Sequence, residues 1–179
     1  MKNDVKAQRD DEIFDVVDEH DQVVGQATRV EVHRQKLWHR AVHAWVFNDR
    51  GQVFLQKRSM AKDMAPGCWD SSCSGHLDAG EGYDVAVVRE LGEEIGVKLT
   101  QPPERLFYET ARAETGWEFV WVYRLKHEGP FELHPAEIET GEWRKPSELD
   151  QAIADNETTY APAFRHLWRH FRQTEKSTK

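Results

Sequence analysis

The chain has 179 residues, of which 39% are hydrophobic and seven are tryptophan, a composition that suits one folded domain. Its formal net charge of −8 argues against a nucleic-acid partner, because a phosphate backbone needs a basic surface. Two cysteines are too few for a disulfide framework, and neither a signal peptide nor a membrane-spanning apolar run is recognisable, so we expect a cytoplasmic protein with no membrane partner.

A single mixed α/β domain is predicted at residues 12–173. Residues 1–11 are charged and are expected to form a flexible N-terminal tail, and residues 174–179 are expected to form a short C-terminal tail. The chain contains no internal repeat or low-complexity tract that would indicate a second unit.

Alternating apolar and polar residues predict that much of this domain is β-structure. The predicted order is an N-terminal hairpin near 13–27, then strands at 39–48, 52–59, 69–74, 105–112, 117–127 and 138–145. On the strand at 39–48, the two-residue period puts four side chains on one face: His39, Ala41, His43 and Trp45.

Three helices are predicted later in the chain. Asp84 is expected to cap the first of them, and Gly96 stands where a C-cap glycine belongs. Pro146 is expected to open a short second helix. An amphipathic C-terminal helix is marked by its apolar residues Phe164, Leu167, Trp168 and Phe171.

The first of these helices carries a cluster of acids. Glu90, Glu93 and Glu94 stand at i, i+3 and i+4, so their carboxylates project from one helix face. Taken alone, the cluster is typical of a solvated acidic surface, partly offset by a pair between Arg89 and Glu93. The wider spacing around the acids favours a different interpretation.

From Gly75 to Val97 the chain reads glycine, five residues, Glu81, seven residues, Arg89-Glu90, an apolar residue, any residue, Glu93-Glu94, any residue, glycine and an apolar residue. This order resembles the Nudix box, and the chain is therefore similar to the Nudix hydrolase superfamily. The resemblance implies an α/β Nudix fold, in which a mixed β-sheet is sandwiched between α-helices and an N-terminal β-hairpin is added. The box at 75–97 would form a loop, a helix and a loop.

The resemblance also implies a cofactor, Mg²⁺ or Mn²⁺, since hard oxygen ligands select these ions and the ions also bind phosphate oxygens. The implied ligands are Glu90, Glu93, Glu94, the carbonyl of Gly75 and, as an auxiliary ligand or loop-orienting group, Glu81. Either Glu93 or Glu94 is expected to be catalytic and to activate the attacking water. The alternative base is a glutamate of a later loop: Glu137, Glu139 or Glu142.

A second resemblance covers most of the chain. The segments HRAVHAWVFN, LQKRSMAK and APGCWDSSCSGH are similar to those of isopentenyl-diphosphate isomerases, which share the Nudix fold. This resemblance implies that Arg58 and Lys62 hold the diphosphate of the substrate, with a solvated loop as the alternative. Three more residues are expected at the substrate, although the aromatic ones suit a core equally well: Trp69, Ser74 and Tyr160.

The isomerases also carry a histidine-rich metal site. Its ligands match His33, His39, His76 and Glu118 in this chain. One further glutamate of that site falls near Gly116, so one ligand is missing. Imidazole and carboxylate groups can still bind a second divalent metal, and the alternative is that the histidines are surface or hydrogen-bonding residues.

Three departures from the isomerases favour hydrolysis. Their catalytic cysteine matches Ser74, whereas Cys73 lies one residue earlier and, in a strand, faces the other way. Their catalytic tryptophan falls near Tyr160. This chain instead keeps Glu90 and Glu93, which the isomerases lack, and a serine hydroxyl is a poor proton-transfer group near neutral pH.

The sequence therefore predicts metal-dependent hydrolysis of a diphosphate linkage in a nucleoside or other organic diphosphate. The alternatives are isopentenyl-diphosphate isomerisation and a non-catalytic module that binds a nucleotide or diphosphate. A zinc site at Cys68, Cys73 and His76 is disfavoured because the chain has only two thiols. The expected partner is a small-molecule diphosphate, and the sequence is compatible with either a monomer or a homodimer.

Overall fold

The computed structural model of the protein describes residues 8–177. Its strands are β1 (Ile13–Val17), β2 (Val23–Thr28), β3 (His39–Phe47), β4 (Val53–Arg58), β5 (Trp69–Asp70), β6 (Cys73–His76), β7 (Glu104–Glu109), β8 (Glu118–Lys126) and β9 (Ile138–Arg144). Its helices are α1 (Arg29–Gln35), α2 (Tyr83–Ile95), α3 (Pro146–Asp155) and α4 (Pro162–Ser177), with short 3₁₀ turns at Ala113–Thr115 and Glu157–Thr159.

A mixed sheet of seven strands forms the centre of the described part of the chain, and β1 and β2 form a separate antiparallel pair. The main order is β5-β4-β3-β8-β7, while β6 pairs with β3 and β9 pairs with β4. β3 runs parallel to β8. β3 pairs with β4 at Phe47 and Val53, whereas residues 41–44 of β3 pair with β6. Because β3 changes its partner, the sheet opens between β4 and β6.

Helices pack against both faces of this sheet. One face carries an apolar cluster that joins the sheet to α3 and α4 and includes Trp45, Phe164 and Trp168. The other face carries a cluster that joins the sheet to α2 and includes Val42 and Leu91. Neighbouring residues of β3 therefore face opposite sides, as the two-residue period predicts. The predicted α/β class is confirmed, with a mixed sheet between helices and an N-terminal hairpin.

Two local details differ from the sequence predictions. The pattern of residues does not predict α1, a seven-residue helix that begins with a capping box between Thr28 and Glu31. The predicted cap of α2 is wrong, because the helix begins after Gly82 and Asp84 lies in its first turn. There the Asp84 carboxylate accepts a hydrogen bond of 2.7 Å from the hydroxyl of Tyr123, so it stabilises the sheet contact instead of capping the helix.

The ends of the described chain refine the predicted boundaries. α4 continues to Ser177, beyond the predicted domain end at residue 173. Residues 1–7 of the predicted N-terminal tail lie outside the described residues. Within residues 8–177, no helix combines the length and the apolar composition needed to cross a membrane.

Candidate active site

A cavity of about 810 Å³ lies beside the opening between β4 and β6, and its volume is in the range of small-molecule sites. It brings together most of the site residues predicted from the sequence: His33, Arg58, Lys62, Ser74, Gly75, His76, Glu90, Glu93, Glu94, Glu118 and Tyr160. Of the other predicted residues, His39, Glu81 and Trp69 do not contribute to the described lining. The cavity therefore joins elements that are far apart in the chain.

Glu94 is the most enclosed acid of the box, with 4% of its surface exposed. Gln56 Nε2 and the backbone N–H of Ser74 both donate to its Oε2, at 3.0 and 3.1 Å. Burial raises the pKa of Glu94, Lys62 opposes this shift, and the negative charge of Glu137 adds to it. The carboxylate is thus held in one orientation, in a place where its charge is unfavourable without a neighbouring cation.

Glu90 lies directly against the backbone of Gly75. A Cβ atom added at Gly75 would lie 2.1 Å from Glu90 Cδ, so a residue without a side chain is needed for this approach. Burial, together with the charge of Glu94, raises the pKa of Glu90 to about 8. Two enclosed carboxylates with raised pKa values beside the backbone of β6 are a donor set that fits a hard divalent cation.

Arg89 connects the acids to the preceding loop. Its guanidinium donates to both carboxylate oxygens of Glu81, at 3.0 and 2.8 Å, and to the carbonyl of His76 at 3.0 Å. It also donates to Glu90 at 2.8 Å and to Glu93 at 3.2 Å. Because Arg89 occupies both oxygens of Glu81, the geometry favours the loop-orienting role predicted for Glu81. Glu93 is 62% exposed, and its contact with Arg89 ties it to the network.

The two cations predicted to bind phosphate are both engaged in ion pairs. Arg58 donates to Asp70 at 2.8 Å and to the carbonyl of Met64 at 3.0 Å. Lys62 forms an ion pair with Glu137. Both basic residues line the cavity.

The remaining predicted substrate residues occupy two environments. Ser74 lines the cavity, whereas Cys73 is 1% exposed and packs in the cluster under α2, so the prediction that these neighbours face opposite ways is confirmed. Tyr160 is buried and reaches the cavity wall from the core. Trp69 packs against the same core, and its backbone forms a bridge with Tyr160. In the described chain, Trp69 is therefore a packing residue.

The predicted histidine cluster is present. Ligand atoms of His33, His39 and His76 lie within 4.8 Å of one another. Glu118 Oε1 lies 2.9 Å from His76 Nε2 and 3.5 Å from His39 Nε2. His39 Nδ1 donates to the carbonyl of Leu37 at 2.9 Å, which leaves its Nε2 as the free ligand atom. Within the described residues, Nε2 of His33 and Nε2 of His39 are buried without a hydrogen-bond partner, so both atoms are available to a ligand.

The buried surroundings of this cluster shift the pKa values of its members. Burial lowers the pKa of His76 to about 3, so its imidazole is neutral and suited to metal binding. Burial alone would raise the pKa of Glu118, but the neighbouring His39 and His76 bring it well below its usual range. The buried guanidinium of Arg29 lies 3.2 Å from His76 Nδ1 and opposes a second positive charge. His43, by contrast, is bonded to Ser71 Oγ at 2.7 Å.

Two supporting residues, Arg29 and Gln56, were not predicted from the sequence. Arg29 holds His76 and also pairs with Asp63 at 3.1 Å. Gln56 orients Glu94 from a buried position on β4. The signal for Gln56 was a polar residue directly after the apolar run Val53–Leu55 of its strand, which must find a hydrogen-bond partner when it is buried. For Arg29, which follows β2 directly and begins α1, the local pattern held no comparable signal.

The site thus combines glutamates of one helix with basic side chains around a cavity, beside a mixed sheet between helices. The NUDIX domain family matches residues 37–167, which is more than half of the chain. The chain belongs to the NUDIX domain family. The predicted superfamily and enzyme class are thereby confirmed.

Individual relatives carry both names expected from the sequence. A Nudix hydrolase of Deinococcus radiodurans is 31% identical over 92% of this chain and 97% of that protein. An isopentenyl-diphosphate Delta-isomerase of Halorhodospira halophila is 32% identical over 85% of this chain and 90% of that protein. The crystal structure of DR0079 from Deinococcus radiodurans matches with a TM-score of 0.81 and 31% identity, over 89% of this chain and 98% of that one.

Two further relatives are matched over part of their length. The match spans 65% of a Nudix hydrolase of Streptomyces coelicolor and 49% of an isopentenyl-diphosphate Delta-isomerase of Photorhabdus laumondii. The chain is 40% and 42% identical to these proteins over the matched residues. The isomerase relatives confirm the predicted branch of the superfamily.

Proposed function

We propose that the protein hydrolyses a diphosphate linkage in a nucleoside or other organic diphosphate and releases a monophosphate. The observation that carries this proposal is the placement of Glu90 against Gly75 and of the buried Glu94 at the backbone N–H of Ser74, in a cavity that Arg58 and Lys62 also line. Carboxylates and basic side chains in one cavity suit a divalent cation together with the phosphate groups that it binds.

The proposed cofactor is Mg²⁺ or Mn²⁺, held by Glu90, Glu93, Glu94 and the carbonyl of Gly75. When bound, the ion neutralises phosphate charge and favours loss of a proton from water. Arg89 keeps Glu90 and Glu93 in place, and Glu81 in turn orients Arg89. This network fixes the acids before substrate arrives, so little reorganisation is needed on binding.

The proton of the attacking water is taken by Glu93 or Glu94 in this proposal. Glu94 is oriented by Gln56, whereas Glu93 is held by Arg89 and is open to solvent with 62% of its side chain exposed. Of the three later glutamates, Glu137 lines the cavity. The other two pair with basic residues of their own strands, Glu139 with Lys57 at 3.1 Å and Glu142 with Arg144. Glu137 is therefore the alternative base that the geometry favours.

The histidine cluster is proposed as a second divalent metal site, with His33, His39, His76 and Glu118 as ligands. The two unpartnered Nε2 atoms support this role. Metal analysis of the dialysed protein should show one equivalent less in a His39→Ala variant than in the wild type. Equal metal content in the two proteins would refute the site.

Hydrolysis is tested with a panel of nucleoside and isoprenoid diphosphates in the presence of Mg²⁺ or Mn²⁺. Glu93→Gln and Glu94→Gln are expected to lower the rate of monophosphate release by about 100-fold or more, because each removes a metal ligand or base. Glu139→Gln, on the outer strand β9, is the matched control and should keep the rate. The proposal is wrong if the wild type shows no metal-dependent turnover, or if both box variants keep full activity.

Isopentenyl-diphosphate isomerisation is the second candidate, since relatives carry that name. Conversion of isopentenyl to dimethylallyl diphosphate, lost in Ser74→Ala, would establish it. A pure binding module would instead show tight diphosphate binding without turnover. The cytoplasmic location and the small-molecule partner remain part of the proposal, and either a monomer or a homodimer is compatible with it.

A further inference from the structure

The ion pair between Lys62 and Glu137 differs from the other cation pair of the cavity. Lys62 and Glu137 are 9% and 16% exposed, and both line the cavity. Arg58 pairs with Asp70, which lies on β5 next to Arg58's own strand β4. A second hydrogen bond, to the carbonyl of Met64, fixes Arg58 further. Arg58 is thus part of the scaffold, whereas Lys62 has one described carboxylate partner.

Lys62 and Glu137 belong to separate segments beside the cavity. Lys62 lies between β4 and β5, and Glu137 lies just before β9. The backbone N–H of Ser59 donates to the carbonyl of Glu137 at 2.9 Å. This backbone hydrogen bond joins the two segments independently of the ion pair. The side-chain pair can therefore open without separating the segments.

The pair also lies within electrostatic reach of the box acids. Beyond the effect of burial, Lys62 lowers and Glu137 raises the pKa of Glu94. A phosphate that reaches the acids through a bound cation thus arrives next to Lys62, while Glu137 already neutralises the lysine. Phosphate and carboxylate are anions that compete for the same ammonium group.

We propose that the Lys62–Glu137 ion pair is a displaceable lock, in which a phosphate group of the substrate takes the ammonium group of Lys62 away from Glu137. This inference rests on the proposed diphosphate substrate. Glu137 then acts as a positioning residue that holds Lys62 in the empty site and competes with weakly held anions. On product release the carboxylate returns to Lys62, which favours departure of a monophosphate.

Binding without metal separates this role from catalysis. Calorimetric titration with methylenediphosphonate in the presence of EDTA measures the affinity for a diphosphate group that is not hydrolysed. Glu137→Gln should bind the probe about fivefold more tightly than the wild type, because the glutamine keeps the shape but not the competing charge. Lys62→Met should bind it about tenfold more weakly.

The strand pair Lys57–Glu139 supplies matched controls, since it joins the same residue types on β4 and β9 outside the described cavity lining. Lys57→Met and Glu139→Gln should bind the probe as the wild type does. The lock is refuted if Glu137→Gln binds no more tightly than the wild type, or if Glu139→Gln tightens binding equally. It is also refuted if adding Lys62→Met to Glu137→Gln leaves the gain intact.

Thermal unfolding of each variant checks that it is folded. Because the titration contains neither divalent metal nor turnover, the lock can fail while metal-dependent hydrolysis stands. Conversely, a tighter Glu137→Gln complex in a protein without turnover would support the lock in a binding module and refute the hydrolase.

Discussion

Replacing Gly75 by alanine should separate metal binding from folding. The added Cβ would lie 2.1 Å from Glu90 Cδ and 2.2 Å from Glu90 Oε1. Ordinary contact begins near 3.4 Å, so the carboxylate has to move by about 1.3 Å. Gly75 lies on β6, and the atoms it meets are the end of a flexible side chain. The fold therefore has a simple way to relieve the contact.

The expected result is a large functional effect with a small effect on stability. A misplacement of this size in a catalytic constellation costs about 100-fold in rate. We expect the metal-dependent rate to fall by that factor and Mn²⁺ affinity to fall with it, while the free energy of unfolding changes by less than about 1 kcal/mol. Phosphate release, Mn²⁺ titration and chemical denaturation measure these three quantities.

Gly92→Ala is the matched control on the helix of the box. A Cβ atom there meets nothing closer than the carbonyl oxygen of Val97 at 3.8 Å. Alanine in a helix interior should stabilise the protein by about 0.5–1 kcal/mol and leave the rate unchanged. If Gly75→Ala keeps its metal affinity and its rate within about twofold, the position of Glu90 against Gly75 does not matter and the reasoning is wrong.

Two further predictions concern stability. Asp21 accepts hydrogen bonds from the hydroxyls of Tyr83 and Tyr108 at 2.9 and 3.0 Å and from Arg40 at 2.6 Å. Asp21→Ala should therefore lower the free energy of unfolding, measured by chemical denaturation, by about 2–4 kcal/mol. A change below about 0.5 kcal/mol would contradict this prediction. Burial alone would raise the pKa of Glu109, but the hydrogen bond from His170 and the charge of Arg112 lower this pKa in the folded protein. The ionised Glu109 therefore stabilises the fold above its unfolded pKa, and this stabilisation is lost as the pH falls through its folded pKa. Glu109→Gln should therefore destabilise the protein at pH 7 and have little effect near pH 3, and an equal effect at both values would refute this.

The spacing of residues that are close in sequence was sufficient to predict much of the fold and the central acids of the site. The i, i+3, i+4 spacing placed Glu90 and Glu94 on one helix face, and in the structure Glu90 lies against Gly75 while Glu94 accepts from the N–H of the neighbouring Ser74. The two-residue period predicted that Cys73 and Ser74 face opposite sides, which the structure confirms. These predictions succeed because helix and strand geometry relate residues a few positions apart.

Short elements and local caps were harder to predict. The seven residues of α1 are too few to show a helical period, and its capping box becomes evident once the helix is known. Asp84 has the residue type of a cap, but its bond to Tyr123 on β8 decides its role. Tertiary contacts override local preference in such places.

The amino-acid sequence by itself determined the class of protein, the helix that carries the clustered glutamates, and the facing of side chains on β3 and β6, because these follow from the spacing of residues. Only the tertiary structure decided which charges meet. Lys62 and Glu137 are 75 positions apart, Arg29 and His76 are 47 apart, and each pair changes the electrostatics of the cavity. The sequence contains all four residues but not the distances between them, since those depend on how β4, β6 and β9 assemble around the same opening in the sheet.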